Sequence, residues 1–261
     1  MGDKKYLRKL DIFLLILFPI MSVILSLLLK ASFLASILLF FGLPAVWLSY
    51  RTRHMIKKTL IFSLIFSIPL SLMIDYVAVL DKSWFVPSSV FSFRIFNVVA
   101  IEGFVFGFLL VYAVLIFYEH FLDKSKYEIV DKKMKYLILP LIILSIVFFA
   151  LLLLKPGLLR IKYAYLCLGI IFMLLPAITF LSFFPRLVSK YVKTASYFFM
   201  LLLIFEITGL QLNQWTFPGE NFIGWIQIFN YKFPLEEFFF WIILSSTGIL
   251  SYYEFFDDDR R

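Results

Sequence analysis

Residues 98–118 of this chain read VVAIEGFVFGFLLVYAVLIFY, an apolar stretch with one charged side chain, Glu102. Its length matches the roughly 20 residues with which a helix crosses the hydrocarbon core of a bilayer. A segment in lipid must be helical unless it belongs to a closed barrel, because lipid offers the backbone no hydrogen-bond partners. The stretch also lacks the strict alternation of a barrel strand. It therefore predicts a transmembrane helix.

Further runs of the same kind lie on both sides of this segment. They are residues 10–29, 32–50, 59–79, 136–154, 163–184, 194–212 and 234–253. The composition agrees with them, because 62% of the 261 residues are hydrophobic and only 16% are charged, whereas a soluble domain carries about a quarter charged residues. We expect an all-α integral membrane protein with about eight transmembrane helices.

Basic residues concentrate in alternate connecting segments and predict the orientation. With the N-terminus in the cytoplasm, most of the 25 Lys and Arg residues fall in the inner segments 1–9, 51–58, 124–135, 186–193 and 260–261. This is the bias that the positive-inside rule describes. It predicts a multi-pass protein of the cell membrane with both termini cytoplasmic. The net charge of +8 is then a membrane-surface feature, and no nucleic-acid partner is expected.

Short motifs occur twice, in the same order. Leu-Pro-Ala at 43–45 recurs at 175–177, and Ile-Phe-Asn at 95–97 recurs at 228–230. An even number of helices per copy places both copies the same way up, so we expect a tandem 4+4 parallel repeat with a pseudo-twofold axis along the membrane normal. The predicted parts are a first four-helix repeat (1–122), a cytoplasmic linker (123–135), a second four-helix repeat (136–256) and a charged tail (257–261).

The two copies also share a pattern of acids and tryptophans. Asp75 precedes Trp84 by nine positions, and Glu206 precedes Trp215 by nine. A charged side chain near the bilayer centre costs roughly 2.5–3.5 kcal/mol on insertion scales, so such residues usually face the bundle interior. Apolar surroundings also favour the neutral carboxylic acid, which can donate a proton. The candidate acids of a shared interior site are Asp75, Glu102, Glu206, Glu236 and Glu237.

A purely structural interpretation of these acids stays open. They can cap helices or pair with Arg94 and Lys232 at the headgroups. Glu236 and Glu237 follow Pro234, so they occupy a helix first turn, where an acid is electrostatically favourable without any catalytic role.

Aromatic rings near these acids are candidate substrate contacts, since a ring face stabilises a cation by about 0.5–2 kcal/mol. Trp84, Trp215 and Trp241 are the ones we expect to bind substrate, although aromatic belts at the membrane boundary are ordinary. The single cysteine, Cys167, excludes an intramolecular disulfide and a cysteine-rich metal cluster. Dinucleotide, phosphate-loop and hydrolase motifs are absent from the sequence, so no cofactor and no metal are expected.

The acid and tryptophan pair, followed by a polar loop and Pro-Leu-Glu-Glu-Phe-Phe-Phe at 234–240, resembles the membrane-type lycopene cyclases. These are the bacterial heterodimeric and archaeal fused enzymes, which also form the cyclase part of fungal bifunctional carotenoid proteins. The family is a tandem of helical units, each with a Pro-x-Glu-Glu motif at a helix start. The first copy here departs from it, because residues 100–103 read Ala-Ile-Glu-Gly.

The resemblance implies a carotenoid cyclase, an intramolecular lyase or isomerase that acts without net redox change on a polyene taken from the bilayer. It implies Glu236 and Glu102 as proton donor and acceptor, in either order, with Asp75, Glu206 and Glu237 orienting them. Two alternatives remain. The chain can be a non-catalytic relative that binds a lipid or polyprenyl chain, or a small-solute transporter, although the sequence gives no sign of the broken helices usual in transporters.

Overall fold

The computed structural model describes residues 2–123 and 131–256, and most of them are helical. The helices are α1 (Gly2–Leu28), α2 (Phe33–Arg51), α3 (Arg53–Leu80), α4 (Ile101–Asp123), α5 (Asp131–Leu154), α6 (Ala164–Phe183), α7 (Pro185–Gln211), α8 (Glu237–Ile243) and α9 (Ser245–Phe256). A short 3₁₀ turn, Pro156–Leu159, follows α5. Each predicted apolar run falls on one helix or, for 234–253, largely on the α8–α9 pair.

Six of these helices are long and apolar enough to cross a membrane, namely α1 to α4, α6 and α7. Helices α8 and α9 are bent by 46° against each other and make a seventh span if they are counted together. The apolar part of α5, Ile138–Leu154, is shorter than the others. The expectation of about eight transmembrane helices is therefore met in part, by a multi-pass helical chain with six or seven spans among the described residues.

The described residues include only part of the predicted linker and exclude the predicted tail. Residues 124–130 of the predicted linker lie outside the described residues, and so does the whole predicted tail, 257–261. Helix α5 begins at Asp131, inside the predicted linker.

Several helices contain departures from regular α geometry. Wide π-helical turns occupy Leu38–Gly42 in α2 and Ile170–Leu174 in α6, in both cases directly before a Leu-Pro-Ala motif. Helix α4 ends in a π turn, Glu119–Asp123, and α8 consists of one. Such turns are frequent at functional sites. The break between α8 and α9 was not predicted, because the run 234–253 was interpreted as one continuous apolar helix.

Helix α4 lies at the centre of the bundle and has the largest buried share of the six spans. It packs most extensively against α3. Two glycines on α4 permit this approach, because a side chain at Gly103 would collide with Asp75 and one at Gly107 would collide with Ser71. Small residues at helix contacts are the usual way in which membrane helices pack closely.

Loops at the predicted outer ends of the helices bring the two tryptophan segments together. Phe85, directly after Trp84, and Thr216, directly after Trp215, exchange two backbone hydrogen bonds of 2.8 and 3.0 Å. A hairpin that was not predicted, β1 (Trp225–Ile228) paired antiparallel with β2 (Tyr231–Pro234), then leads into α8. Trp84 and Trp215 therefore lie on the same side of the bundle, above the ends of α3 and α7.

Candidate active site

A cavity of about 140 Å³ lies where α3, α4, α6, α7 and α8 meet. Three of the five predicted acids line it, each from a different helix: Asp75 from α3, Glu206 from α7 and Glu237 from α8. Most of the other lining side chains are aliphatic or aromatic. The helices thus place three carboxyl groups around one small and largely apolar space.

Glu206 is the most firmly held of the three. Its side chain is buried, and Trp215 donates a hydrogen bond of 3.0 Å from Nε1 to Glu206 Oε1. The indole ring lies against Gly209, where any side chain would collide with it. The spacing of Glu206, Gly209 and Trp215 therefore creates one unit, in which the glycine makes room for the ring that holds the acid.

Asp75 has a different environment, although it also precedes a tryptophan by nine positions. Its Oδ2 atom is buried and has no hydrogen-bond partner among the described residues. The carboxyl group lies against Gly103 of α4, and the ring of Trp84 reaches the same position. Asp75 is therefore held by van der Waals packing, and no described donor binds its Oδ2 atom.

Glu237 lies in the first turn of the last helical segment, as its place after Pro234 predicts. It is buried, and its carboxyl group interacts electrostatically with that of Glu206. The hydroxyl group of Tyr165, from the start of α6, interacts with the Glu237 carboxyl group. Tyr165 lines the cavity too and was not predicted, because nothing in the sequence distinguishes it among 14 tyrosines.

The structure places Glu102 and Glu236 outside the cavity lining, in similar roles. Glu102 accepts hydrogen bonds of 2.8 Å from Ser89 Oγ and 2.7 Å from the Val90 backbone N–H. Glu236 accepts one of 2.7 Å from the backbone N–H of Ile223. Both glutamates thus anchor the loop that precedes their helix. The other carboxyl oxygen of Glu236, Oε2, is buried without a hydrogen-bond partner among the described residues. The roles of proton donor and acceptor that the resemblance implies for these two glutamates stay predictions.

Aromatic rings form much of the cavity wall, and the three predicted tryptophans, Trp84, Trp215 and Trp241, are among them. The Phe205 ring lies 5.1 Å from that of Trp215 and 5.5 Å from that of Phe106, measured between centroids. Aromatic faces are electron-rich and attract cations, so this wall can stabilise positive charge that develops inside the cavity.

Serines of α3 form a small polar stripe. Ser63 and Ser67 are buried and donate hydrogen bonds of 2.7 and 2.6 Å to the backbone carbonyl groups of Thr59 and Ser63. Ser67 and Ser71 line the cavity. The stripe therefore faces inwards and ends at Asp75.

A second polar cluster lies at the opposite, predicted cytoplasmic end of the bundle. Asp11 of α1 is buried and accepts hydrogen bonds of 3.1 Å from Trp47 Nε1 and 3.0 Å from Arg51 Nε. The same carboxyl group lies 3.0 Å from His120 Nε2, and Thr52 contacts the other ring nitrogen. His120 thus joins α1 to α4.

The described part of the chain contains no group of three His, Cys, Asp or Glu side chains placed to hold a metal ion. Comparisons of the chain with protein-family models, with curated proteins and with solved structures gave no match. Any function must therefore be argued from the geometry above and from the resemblance carried by the sequence motifs.

Proposed function

We propose that this protein is a membrane-embedded polyene cyclase of the carotenoid type, which closes a ring at the end of a linear polyene by proton-initiated isomerisation. The observation that supports it most is the cavity, in which three carboxyl groups from three helices share an apolar space walled by aromatic rings. Acid–base catalysis and stabilisation of a developing cation need both features.

The chemistry needs only a proton donor and a proton acceptor. The donor transfers its proton to one carbon of the terminal double bond and leaves a carbocation on the neighbouring carbon. An internal double bond of the same chain supplies two electrons, closes a carbon–carbon bond and moves the positive charge into the new ring. The acceptor then removes a proton from an adjacent carbon, and the electrons of that C–H bond form the ring double bond. One proton enters and one leaves, so the product is an isomer of the substrate.

We assign the donor role to Asp75 and the acceptor role to Glu206. The Oδ2 atom of Asp75 has no partner among the described residues, so the group can carry a proton that no neighbour competes for. Glu206 receives the indole N–H of Trp215, and a hydrogen bond to a carboxylate is about twice as strong as one to a neutral group. Glu237, with Tyr165, completes the polar side of the cavity and orients the other two acids.

We also propose that the chain consists of two related halves, 1–122 and 136–256, with both termini in the cytoplasm. The reciprocal pairing of Phe85 with Thr216 supports this, because a pseudo-twofold axis would bring equivalent positions together. The π turn before each Leu-Pro-Ala motif and the loop anchored by each of Glu102 and Glu236 support it as well.

The proposal is tested by replacing single acids and analysing the pigments of a host that accumulates lycopene. Asp75→Asn and Glu206→Gln should each lower ring formation by about 10²–10⁴-fold, the range for loss of a general acid or base. Glu220→Gln is the matched control, because Glu220 is an exposed loop acid, and it should leave ring formation unchanged.

Glu102→Gln separates the two groups of acids. It should weaken the loop anchor and lower ring formation much less than Asp75→Asn does. Full ring formation by Asp75→Asn and Glu206→Gln would contradict the roles of these acids. If the wild-type protein retains a coloured polyene but does not convert it, the protein is a non-catalytic binder of that polyene.

A transporter is the second candidate, and one observation favours it. The bend of 46° between α8 and α9 lies next to the acids, and broken helices are typical of transporter binding sites. Proteoliposomes loaded with a pH-sensitive dye test this candidate. Proton entry under an imposed membrane potential, lost in Glu206→Gln and Glu237→Gln, would support transport, and entry equal to that of protein-free vesicles would exclude proton-coupled transport of this kind.

A further inference from the structure

A second and larger space lies beside the cavity, in the half of the bundle nearer the predicted cytoplasmic side. It has a volume of about 650 Å³ and runs between α5, α6 and α9, with α3 at its floor. None of its lining residues is charged, and apart from Thr179, Ser251 and the tyrosine hydroxyl groups its lining is apolar. We call this space the apolar groove.

The apolar groove and the acid cavity are neighbours. Phe66, Leu70 and Phe172 line both of them, so the same three side chains form the partition. Phe66 packs on Tyr252 of the groove, with ring centroids 4.8 Å apart. The two spaces therefore adjoin each other at these three residues.

The groove also faces outwards. Phe183 on its lining is 75% exposed, and Leu144 is 37% exposed. Since α6 is long and apolar enough to cross a membrane, we infer that these exposed apolar side chains face lipid. A molecule dissolved in the bilayer can thus reach the groove sideways.

The two volumes suit different parts of one ligand. The cavity, at about 140 Å³, has room for the end of a long hydrocarbon but not for its whole length. The groove is larger, at about 650 Å³, and none of the described residues that line it is charged.

We propose that the apolar groove binds the linear hydrocarbon chain of the polyene whose end group occupies the acid cavity. This inference rests on the proposed function for the nature of the ligand, but not for its binding. The ligand class is a long, unbranched or methyl-branched hydrocarbon without a charged headgroup. The chain enters between α5 and α6 and passes the partition with its end first.

Neighbouring positions on one helix give a matched test. Leu144→Trp fills the groove, whereas Ile143→Trp adds the same ring at an adjacent, lipid-facing position that does not line it. Each full-length variant is purified from lycopene-accumulating cells, and the total polyene retained per protein, acyclic plus cyclic, is measured by visible absorbance. Leu144→Trp should lower this amount by about tenfold, because an added ring competes for an occupied space. Ile143→Trp should leave it unchanged.

A second pair protects the test against misfolding. Thr179 of α6 lines the groove, whereas its neighbour Ile178 is 55% exposed and does not line it. Thr179→Trp is therefore the groove variant, and Ile178→Trp is its control. Circular dichroism identifies a variant that has lost its helices, and the other pair then gives the answer. Equal polyene retention by the groove variant and its control in a folded pair would overturn the proposal, since it would mean that membrane lipid alone fills the groove.

Ring formation, measured in the same cells, keeps this inference distinguishable from the proposed function. If polyene retention depends on the groove but neither the wild type nor any variant forms rings, the chain-binding site stands and the cyclase proposal fails. If rings form equally in Leu144→Trp and Ile143→Trp, the cyclase proposal stands and the groove has been misassigned.

Discussion

Trp215 holds Glu206 by a hydrogen bond of 3.0 Å, whereas no such bond joins Trp84 to Asp75 in the described structure. Trp215→Phe keeps an aromatic ring in the wall but removes the donor. Loss of a hydrogen bond costs roughly 0.5–1.5 kcal/mol, so ring formation should fall by about twofold to tenfold. Trp84→Phe is the control and should change it much less, and equal effects of the two variants would contradict the assigned role of Trp215.

Gly103 determines the space that is left for Asp75. Any side chain at position 103 would collide with the Asp75 carboxyl group. The glycine therefore makes room for the acid that we assign as proton donor. In the proposed repeat, Gly103 corresponds to Glu237, so the same clash would account for the missing second glutamate at this position.

Gly103→Ala should displace Asp75 and lower ring formation by about tenfold or more, because a misplaced catalytic group is costly even when the shift is small. Gly157→Ala is the matched control, since no atom lies within 4 Å of an added Cβ there. Ring formation by Gly103→Ala at the wild-type level would show that the position of Asp75 is not critical.

At the scale of elements, α1 is fastened to the bundle by the Asp11 cluster. Asp11→Asn leaves a single carbonyl oxygen where the carboxylate meets Trp47, Arg51 and His120. Breaking a buried ion pair costs roughly 3–5 kcal/mol, so the thermal unfolding temperature in detergent should fall by several degrees.

Glu220→Gln serves as the control for this stability change too, because its carboxyl group is exposed. An Asp11→Asn protein as stable as the control would mean that the cluster does not hold α1 in place. Ring formation at moderate temperature should survive in Asp11→Asn, since the cluster lies at the opposite end of the bundle from the acid cavity.

The helices were predictable from the sequence because each is a long apolar run, but their irregularities were not. The bend between Ile243 and Ser245 was missed although Ser-Ser-Thr-Gly follows it at 245–248, a type of sequence at which helices kink. The hairpin Trp225–Pro234 was missed as well, since its strands have four residues each and mixed polarity. Short strands give little periodic signal, and the Asn-Gly type of turn that would mark a hairpin is absent.

At the scale of the whole molecule, the helix packing brings together some of the acids that the sequence singles out, whereas the role of each acid stays a prediction. Five acids were expected together, and three of them line the cavity. Glu102 and Glu236 lie in the first turns of their helices, where a carboxylate is electrostatically favourable whether or not it is catalytic. Their position in the sequence therefore does not distinguish a loop anchor from a catalytic acid. The position of Tyr165 in the cavity and the apolar groove both result from the packing of segments that are distant in sequence. No local sequence pattern predicts such contacts.

The orientation of the whole chain remains a prediction from its basic residues, and cysteine labelling tests it. In a Cys167→Ser background, Lys30→Cys should react with a membrane-impermeant maleimide on intact cells, and His54→Cys should react only after lysis. Both positions are exposed at opposite ends of α2, and the positive-inside rule places only the second in the cytoplasm. The reverse labelling would overturn the predicted orientation and leave the cavity unaffected.

The central claim is that carboxyl groups from three helices cyclise a polyene in one apolar cavity. The most direct measurement is the pigment composition of lycopene-accumulating cells that express the wild-type chain. We expect cyclic carotenoids with the mass of lycopene in these cells and none in cells that express Asp75→Asn. Lycopene that stays wholly acyclic, although the protein is folded and present in the membrane, would contradict it.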